Sequence, residues 1–536
     1  MRRKTILPFL TTLLVFGLVF TVLLANSREI GVTWDEPAYI EASESYVHWL
    51  QQAFSHPEIA FRDNILTNAW SLNSEHPPLD KVWSGLVWSV ARNFTDDLTA
   101  HRMGNMLLSA ALAAMLFAWL RSAYGSLAGA AGVLALFSMP RFFFHAHLSA
   151  LDVPAAFSAF LSTFVFWKLL EKRGWAWGLL AGLVWGLALA TKVNAVFVPI
   201  VLGVWLLLFR REPRQFLRLV IMGLVAVLVF FAAWPWLYQH TLERLITYIG
   251  FITVNHWQIG QYYLGQFHIP PPWHFSFVML WAVIPLGITL LYFVGIGRSF
   301  KWKKDNALGA LFLLSAFIPV LVPVIGRSLL YDNDRMMMAV YPFLAALAGV
   351  GFNWLASAWR KTGLALRSKT LRTGGVVLLA GLALLPQLVG MARLYPHLLS
   401  YYSEGVGGLR GATKMGLETT YWCETYSLAL PVINAQAKPG DRIWADPWSH
   451  DVLIYYQRIG SLREDVVVTA DADDVSIFGQ FVKGYPMSAA DWYIFEHRQT
   501  TFGPAGMNSH MLAVLNRQEV VYEYRYEGVP ILTVYK

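Results

Sequence analysis

The sequence predicts a polytopic α-helical membrane protein that carries a small α/β domain at its C-terminal end. Of the 536 residues, 56% are hydrophobic and only 14% are charged, whereas soluble domains contain about 25% charged residues. Apolar stretches of roughly 17–22 residues, the length that crosses a bilayer, recur as far as residue 391. From residue 395 onward these stretches stop and short β-rich runs replace them.

Eleven membrane spans are predicted. The first, 7–25, follows Arg2, Arg3 and Lys4; we interpret it as a retained span because its apolar core is longer than that of a signal peptide. The others lie at 103–120, 125–140, 153–170, 175–191, 193–209, 216–236, 274–296, 309–325, 336–357 and 373–391. The shorter apolar run 82–90 predicts an interfacial helix in the first outer loop, 26–102.

Basic residues predict the orientation. With a cytoplasmic N-terminus and alternating spans, twenty Lys and Arg residues but only three acids fall in the cytoplasmic segments and span ends, as expected from the positive-inside rule. Three long polar segments, 26–102, 237–273 and 395–536, then lie on the extracytoplasmic side of a plasma or inner membrane. The lone cysteine, Cys423, cannot form an internal disulfide.

The last segment predicts a separate domain. Residues 1–394 form the predicted transmembrane domain, and residues 395–536 form an extracytoplasmic α/β domain. A helix is expected at 452–458, and strands are expected at 442–445, 466–469, 492–495, 520–525 and 530–535.

Acidic residues at two membrane exits are the first candidates for chemistry. Asp35 and Glu36 directly follow the first span and precede Pro37. Asp152 opens a later span that carries no further charge until Lys168, and ionisable residues at membrane depth usually serve function. For Asp35 and Asp152 the structural alternative is a helix N-cap.

Further polar residues fall on the same predicted outer face. They are Glu75 and His76 in a proline-rich turn, Lys192 between two spans, His256 and His268 in an aromatic segment, and Arg335 before the span that contains Tyr341. Alternatives for these groups are a solvated turn, interfacial anchoring and a snorkelling arginine. Together they predict a site for a phosphate-bearing amphiphile and a hydroxyl nucleophile.

In this order the motifs resemble the GT-C glycosyltransferases, in the branch of protein O-mannosyltransferases and lipid A aminoarabinose transferases. The resemblance covers about residues 1–390 and rests on Asp35-Glu36, Glu75-His76-Pro77-Pro78-Leu79, Asp152-Val153-Pro154, Gly186 to Lys192, Pro272-Trp273-His274-Phe275, and Arg335 with Tyr341-Pro342. It implies a GT-C-like enzyme that transfers one sugar, with inversion, from a polyprenyl-phosphate donor. The acceptor would be a hydroxyl of a protein, lipid or glycan at the outer face.

The resemblance also implies roles for the candidate residues. Asp35 would be the general base, with Asp152 and Glu36 as further catalytic candidates. The substrate-binding candidates are Glu75, His76, Lys192, Arg335, Tyr341 and His268. His76 stands where the aminoarabinose branch has lysine, so its charge depends on pH.

Two alternatives stay open at this stage. Glu75 together with His268 or His256 could hold a divalent ion, although two or three ligands are a partial set. A transporter or flippase for an amphiphilic phosphate-bearing substrate is the other functional class. The acids at membrane exits and the lack of an inverted repeat favour an enzyme. Membrane lipids are expected partners, and nucleic acid is not.

Overall fold

Helices fill every position where the sequence predicts a membrane span. The computed structural model describes residues 3–172, 174–254, 259–299, 307–325, 330–445, 449–502 and 507–536. Its helices up to residue 253 are α1 (Arg3–Asn26), α2 (Glu36–Ser55), α3 (Pro57–Ala60), α4 (Asp63–Trp70), α5 (Leu79–Ala91), α6 (Asp97–Tyr124), α7 (Ser126–Phe137), α8 (Pro140–His145), α9 (Asp152–Leu169), α10 (Ala176–Thr191), α11 (Phe197–Phe209), α12 (Pro213–Ala232) and α13 (Thr241–Thr253). They continue as α14 (Phe275–Val283), α15 (Leu286–Ser299), α16 (Ala307–Ile325), α17 (Tyr341–Arg360), α18 (Gly363–Arg367) and α19 (Lys369–Leu394). The prediction of a multi-pass helical membrane protein is therefore confirmed.

Not all of these helices are long enough to cross a membrane alone. In the described part of the chain, five pass by length and composition: Ile6–Asn26, Asp97–Tyr124, Pro213–Ala232, Arg335–Arg360 and Lys369–Leu394. Shorter apolar helices lie at Ser126–Phe137, Ala176–Thr191, Val193–Phe209 and Ala307–Leu321. The count of eleven spans thus stays a prediction.

The predicted span 274–296 is not one straight helix. It is divided into α14 and α15, whose axes differ by 119°. The break falls at Ile284 and Pro285, and proline interrupts a helix because it lacks the N–H and its ring clashes with the preceding turn. Since α14 has only nine residues, it is too short to cross the hydrocarbon by itself.

Helix α9 runs from an acidic residue at one end of the helical bundle to a basic residue at the other. Asp152 begins this helix. At its other end the carbonyl groups of Leu169 and Leu170 accept hydrogen bonds of 3.2 Å from Arg218. Its 18 residues span about 27 Å at 1.5 Å per residue. Asp152 and Arg218 therefore lie at opposite ends of the helical bundle, as the sequence predicts. Which end faces the cytoplasm stays a prediction.

The outer segments form an α/β layer at the Asp152 end. Strands β1 (Gln261–Tyr263) and β2 (Gln266–His268) pair as an antiparallel hairpin. The C-terminal region contains β3 (Arg442–Trp444), β4 (Val467–Val468), β5 (Asp474–Val475), β6 (Phe481–Val482), β7 (Trp492–Glu496), β8 (Val520–Tyr526) and β9 (Val529–Tyr535). Its helices are α20 (Gly408–Lys414), α21 (Leu430–Gln436), α22 (His450–Arg458) and α23 (Met507–Leu515). All five predicted strands and the predicted helix are present.

Five of these strands make one mixed sheet in the order β4-β3-β7-β9-β8. Strand β3 pairs in parallel with β4 and β7, and β9 pairs antiparallel with both β7 and β8. A hydrophobic core of its own lies under this sheet and begins at Cys423 along the C-terminal chain. The segment from Leu398 to Trp422 instead packs into the core of the helical part. Helix α19 ends near the predicted domain boundary, whereas the second core starts about thirty residues later.

The first outer loop is held between the helical part and the C-terminal domain. Val32 and Ile40 belong to the C-terminal core. The backbone N–H of Val32 donates to the Tyr456 hydroxyl at 2.8 Å, and the N–H of Trp34 donates to the Trp422 carbonyl at 3.0 Å. These contacts place the start of α2 at the boundary between the two parts of the molecule.

Candidate active site

Arg335 is the centre of a buried charge cluster at this boundary. It begins a 3₁₀ turn, Arg335–Val340, that leads into α17. Its Nε lies 3.1 Å from Asp152 Oδ2 and its Nη1 lies 2.7 Å from Asp332 Oδ2. Its Nη2 donates to Asp35. One guanidinium thus joins three carboxylates, two of them from distant parts of the chain, through three of its five N–H groups.

Lys192 supplies a second buried cation. Its Nζ lies 2.6 Å from Asp152 Oδ1, at the point where α10 ends. His145 Nδ1 lies 3.7 Å from the other oxygen of Asp152. Because Asp152 is paired with Lys192 and Arg335 and is only 2% exposed, its carboxylate holds the two cations side by side. It does not act as a helix N-cap, since the N-cap position of α9 is Leu151.

Asp35 differs from the other carboxylates on Arg335. Its side chain is 21% exposed, against 2% for Asp152 and 7% for Asp332. Within the described residues it makes no capping hydrogen bond to α2, and Tyr39 donates its hydroxyl to Asp35 at 3.1 Å. Desolvation, together with the negative charges of Asp332 and Asp152, raises the pKa of Asp35 above its ordinary value although Arg335 opposes this. A partly exposed carboxylate with a raised pKa is suited to accept a proton near neutral pH.

Glu36, the neighbouring catalytic candidate, points elsewhere. Its two carboxylate oxygens accept hydrogen bonds from Arg102 at 2.8 and 2.7 Å, and both side chains are fully buried. It also accepts the backbone N–H groups of Thr33 and Ser149, each at 3.0 Å. Burial acts to raise the pKa of Glu36, but the charge of Arg102 lowers it overall. These contacts fix the loop that carries Asp35, and a catalytic role of Glu36 stays a prediction.

His76 lies beside the cluster and is uncharged in it. Its ring is 6.0 Å from the ring of Tyr39 in an edge-on arrangement. Desolvation and the nearby cations Lys81, Lys192 and Arg335 hold the pKa of His76 well below its usual range. The lowered pKa favours the neutral form of the His76 ring.

Glu75 and Lys81 maintain the turn that contains His76. Glu75 accepts a hydrogen bond of 2.7 Å from the Asn73 side chain. Lys81, which the sequence does not single out, donates to the carbonyls of Asn73 and His76 at 2.9 and 3.1 Å. Burial lowers the pKa of Lys81 to about 7. Among the described contacts, Glu75 makes none with the Arg335 cluster, so its position supports the turn.

Tyr341 is linked to the Arg335 cluster through its neighbour Asp334. Its hydroxyl donates to Asp334, and Arg141 Nη1 lies 2.5 Å from the same carboxylate. The guanidinium of Arg141 also lies over the Tyr402 ring, 4.7 Å from its centroid. Tyr341 therefore positions the turn before Arg335 and does not point at the Asp35 side of the cluster. Asp332 and Asp334 are missed by sequence reasoning, although two acids within three residues of Arg335 are a visible signal.

The C-terminal domain completes the cluster with residues that the sequence does not reveal. The Arg335 guanidinium lies 4.1 Å from the centroid of the Trp422 ring, a cation–π contact. Arg498 Nη2 lies 2.6 Å from Asp332 Oδ1, and Arg498 Nε lies 3.5 Å from Glu418. No local pattern predicts that Trp422 or Arg498 joins this cluster, because their partners lie in other parts of the chain.

The predicted metal ligands do not come together in the part of the chain that the structure describes. His268 lies on β2 with its ring 6.1 Å from that of Tyr263, and it has no described contact with Glu75 or with the Arg335 cluster. His256 lies outside the described residues. Elsewhere, ligand atoms of Glu44, Asp97 and His101 lie within 4.8 Å of one another. All three groups already have partners. Glu44 is bonded to both Arg458 and His101, and Asp97 accepts hydrogen bonds from two aromatic side chains. A divalent ion stays a prediction.

Comparison with known proteins identifies a family model and solved structures that resemble this chain. Residues 75–238 match the family model described as dolichyl-phosphate-mannose-protein mannosyltransferase. The crystal structure of ArnT from Cupriavidus metallidurans in the apo state aligns over 97% of both chains, with a TM-score of 0.54 and 16% identity. The chain therefore has the same fold as this ArnT structure. The ArnT structure bound to undecaprenyl phosphate aligns with this chain over the same share of both chains, with a TM-score of 0.51 and 15% identity.

A more distant structure and a search without a match complete the comparisons. The archaeal oligosaccharyltransferase AglB from Archaeoglobus fulgidus aligns over 86% of this chain and 64% of its own, with a TM-score of 0.46 and 11% identity. No curated protein sequence matches. The segment that matches the family model includes Glu75, His76, Asp152 and Lys192, whereas Asp35 and Arg335 lie outside it.

Proposed function

We propose that this protein is an inverting glycosyltransferase of the GT-C type that moves a single sugar from a polyprenyl-phosphate donor to an acceptor hydroxyl at the outer face of the membrane. The observation that carries the proposal is the asymmetry of the charge cluster. One carboxylate, Asp35, is partly exposed, while the cations Arg335 and Lys192 are buried beside it. A proton acceptor and two phosphate-binding cations are what this transfer requires.

The reaction follows from these residues. Asp35 takes the proton of the acceptor hydroxyl as its oxygen attacks the anomeric carbon of the sugar. The bond from that carbon to the phosphate oxygen breaks, and the electron pair leaves with the polyprenyl phosphate. Arg335 and Lys192 stabilise the charge that develops on the departing phosphate. A phosphate needs no acid to leave, so one base suffices, and a single displacement inverts the configuration.

An apolar cavity beside the cations supports a lipid-linked donor. It has a volume of about 130 Å³ and lies between α9, α11, α16 and the turn before α17. Its wall includes Asn194, two residues after Lys192, and Met336, which follows Arg335. A prenyl chain in this cavity would bring its phosphate to the two cations. The structurally similar ArnT bound to undecaprenyl phosphate supports the same class of ligand.

The outer location is supported by the predicted orientation, which places the C-terminal domain and the cluster beneath it on the same side of the membrane. The acceptor hydroxyl, from a protein, lipid or glycan, would approach Asp35 from its exposed side. There Tyr39 and His76 offer hydrogen-bonding groups. A neutral His76 can also accept a proton when a phosphate anion binds next to it, because a nearby negative charge favours the protonated ring.

Release of polyprenyl phosphate by reconstituted protein tests the proposal. Purified full-length protein in proteoliposomes receives radiolabelled polyprenyl-phosphate sugars prepared from membranes, together with an envelope extract as acceptor. We expect acceptor-dependent release of polyprenyl phosphate and incorporation of label, both lost in Asp35→Asn. The matched control is Asp63→Asn, an exposed acid in the same outer loop, which should behave like the wild type.

The outcomes separate the two functional classes. Movement of labelled lipid across the bilayer without release of polyprenyl phosphate would identify a flippase and contradict the proposal. Equal release by wild type and Asp35→Asn would contradict the assignment of the base. Mass spectrometry of the cell envelope with and without the gene then identifies the modified acceptor.

A further inference from the structure

We propose that Arg498 of the C-terminal domain is a positioning residue that, through Asp332, sets how readily Arg335 can bind the donor phosphate. This inference rests on the proposed function, because it specifies how the phosphate site of that reaction is tuned. Asp332 stands between the two arginines. Its Oδ1 lies 2.6 Å from Arg498 Nη2, and its Oδ2 lies 2.7 Å from Arg335 Nη1.

The turn that carries Asp332 is held in an unusual backbone conformation. Asp332 and Asn333 have φ values of +54° and +58°, in the left-handed region that residues other than glycine adopt at a cost. Contacts from two outer segments hold this turn in place. The N–H of Asn333 donates to the Gln261 side chain in β1 at 2.9 Å, and Arg498 pairs with Asp332 itself.

The loop that supplies Arg498 is tied firmly to the site. It follows β7, and the N–H of Thr500 donates to Glu418 at 2.8 Å. Gln499 accepts the N–H of Thr419 at 2.7 Å and donates to its hydroxyl at 2.6 Å. Glu418 also lies 3.5 Å from Arg498, and together these contacts fix the position of the Arg498 guanidinium. The C-terminal domain therefore places a permanent positive charge directly behind Asp332.

The consequence concerns competition for Arg335. Three of the five N–H groups of its guanidinium are bonded to carboxylates in this structure, so a donor phosphate competes with these carboxylates for Arg335. Arg498 shares the charge of Asp332 and thereby weakens the hold of Asp332 on Arg335. Without Arg498, Asp332 would bind Arg335 alone and would add an uncompensated negative charge where the phosphate has to come. The other charged groups that face Arg335 are Asp35 and Asp152, together with Lys192 on the far side of Asp152.

The geometry predicts that substitutions of Arg498 and Asp332 change the affinity for the anionic lipid in opposite directions. Arg498→Gln should weaken binding of the anionic lipid, whereas Asp332→Asn should strengthen it because it removes a competitor for Arg335. A role in folding alone would make both variants bind worse. Arg498→Lys keeps the charge and should retain most of the affinity. The double variant should return towards the wild-type value.

Binding of undecaprenyl phosphate to the purified full-length protein in detergent is the measurement, made at pH 7.5 and low salt. We expect Arg498→Gln to bind about tenfold more weakly, which is the effect of one unit charge roughly 12 Å away at an effective dielectric near 20. We expect Asp332→Asn to bind about threefold more tightly, because Arg498 already offsets most of the charge of Asp332. Arg498→Lys should stay within about threefold of the wild type. Arg525→Gln, which removes an exposed arginine of the same domain that pairs with Glu523, is the matched control and should not change the affinity.

Each result decides the matter. Wild-type affinity in Arg498→Gln, or weaker binding in Asp332→Asn, would overturn the inference while leaving the proposed function in place. If Arg498→Gln does not fold, Asp332→Asn alone decides through the sign of its effect. Should the wild type itself fail to bind undecaprenyl phosphate, the lipid-phosphate donor and this inference would fall together.

Discussion

Replacement of Asp35 by asparagine separates the chemistry of the site from its stability. The amide keeps the shape of the side chain and can still accept the hydroxyl of Tyr39, which lies 3.1 Å from Asp35. It cannot take a proton and carries no charge for Arg335. General-base catalysis typically contributes 10²–10⁴-fold, so we expect transfer to fall by that factor. At 1.36 kcal/mol per tenfold, this corresponds to about 3–5 kcal/mol in the activation barrier.

The effect on stability should have the opposite sign. Removing the carboxylate loses a charge-assisted hydrogen bond to Arg335, worth about 1.5–3 kcal/mol. It also removes the desolvation penalty and the repulsion by Asp152 and Asp332. Because these unfavourable effects raise the pKa of Asp35 in the folded protein, ionisation of Asp35 weakens the fold as the pH rises through that pKa. At neutral pH we therefore expect Asp35→Asn to unfold at a temperature no lower than the wild type.

The assay combines thermal unfolding in detergent with the rate of sugar transfer across pH 4–9. The wild-type rate should fall on the acid side through a pKa above the ordinary value for aspartate, since the base has to be ionised. Asp35→Asn should lack this dependence and be almost inactive over the whole range. A variant that loses activity only in proportion to a loss of melting temperature would refute the reasoning, because Asp35 would then be a structural residue.

Three further predictions follow from the site and the topology. Arg335→Lys keeps a charge but loses the planar fork, so undecaprenyl phosphate should bind about ten- to a hundredfold more weakly; unchanged affinity with a lower melting temperature would support the snorkelling alternative. Glu36→Gln leaves the buried charge of Arg102 without its partner and should cost about 3–5 kcal/mol of folding free energy, measured by unfolding in detergent; wild-type stability with lost transfer would restore its predicted catalytic role. In intact cells a membrane-impermeant amine reagent should modify the exposed Lys414 and spare Lys361, as read by mass spectrometry; the reverse pattern would invert the orientation.

Local patterns were sufficient for the elements of the fold. An apolar stretch of membrane length and a short alternating run are properties of neighbouring residues, so the span positions and the strands of the C-terminal sheet could be predicted before any contact was known. The exception is the predicted span 274–296. Its apolar composition concealed the break at Pro285, where α14 and α15 turn by 119°.

Polar residues in apolar surroundings likewise pointed to part of the site. Asp35, Asp152, Lys192 and Arg335 stand out because charge at a membrane boundary has to be paired or used, and the structure brings all four together. Which of two adjacent acids faces the site was beyond the reach of sequence. Successive residues of a helix point in different directions, and only Arg102, 66 residues away from Glu36, decides which direction belongs to the buried pair.

The sequence by itself therefore determined the membrane fold, the α/β domain and the main charged members of the site, because each has a local or compositional signature. Only the tertiary structure decided which charges meet. Arg335 and Asp35 are 300 residues apart, and Arg498 and Asp332 are 166 apart. Such contacts depend on how helices and domains pack, and a single arginine carries the same local signature whether it pairs with a carboxylate or with water. For this reason the contact between the C-terminal domain and Asp332 could be found only in the tertiary structure.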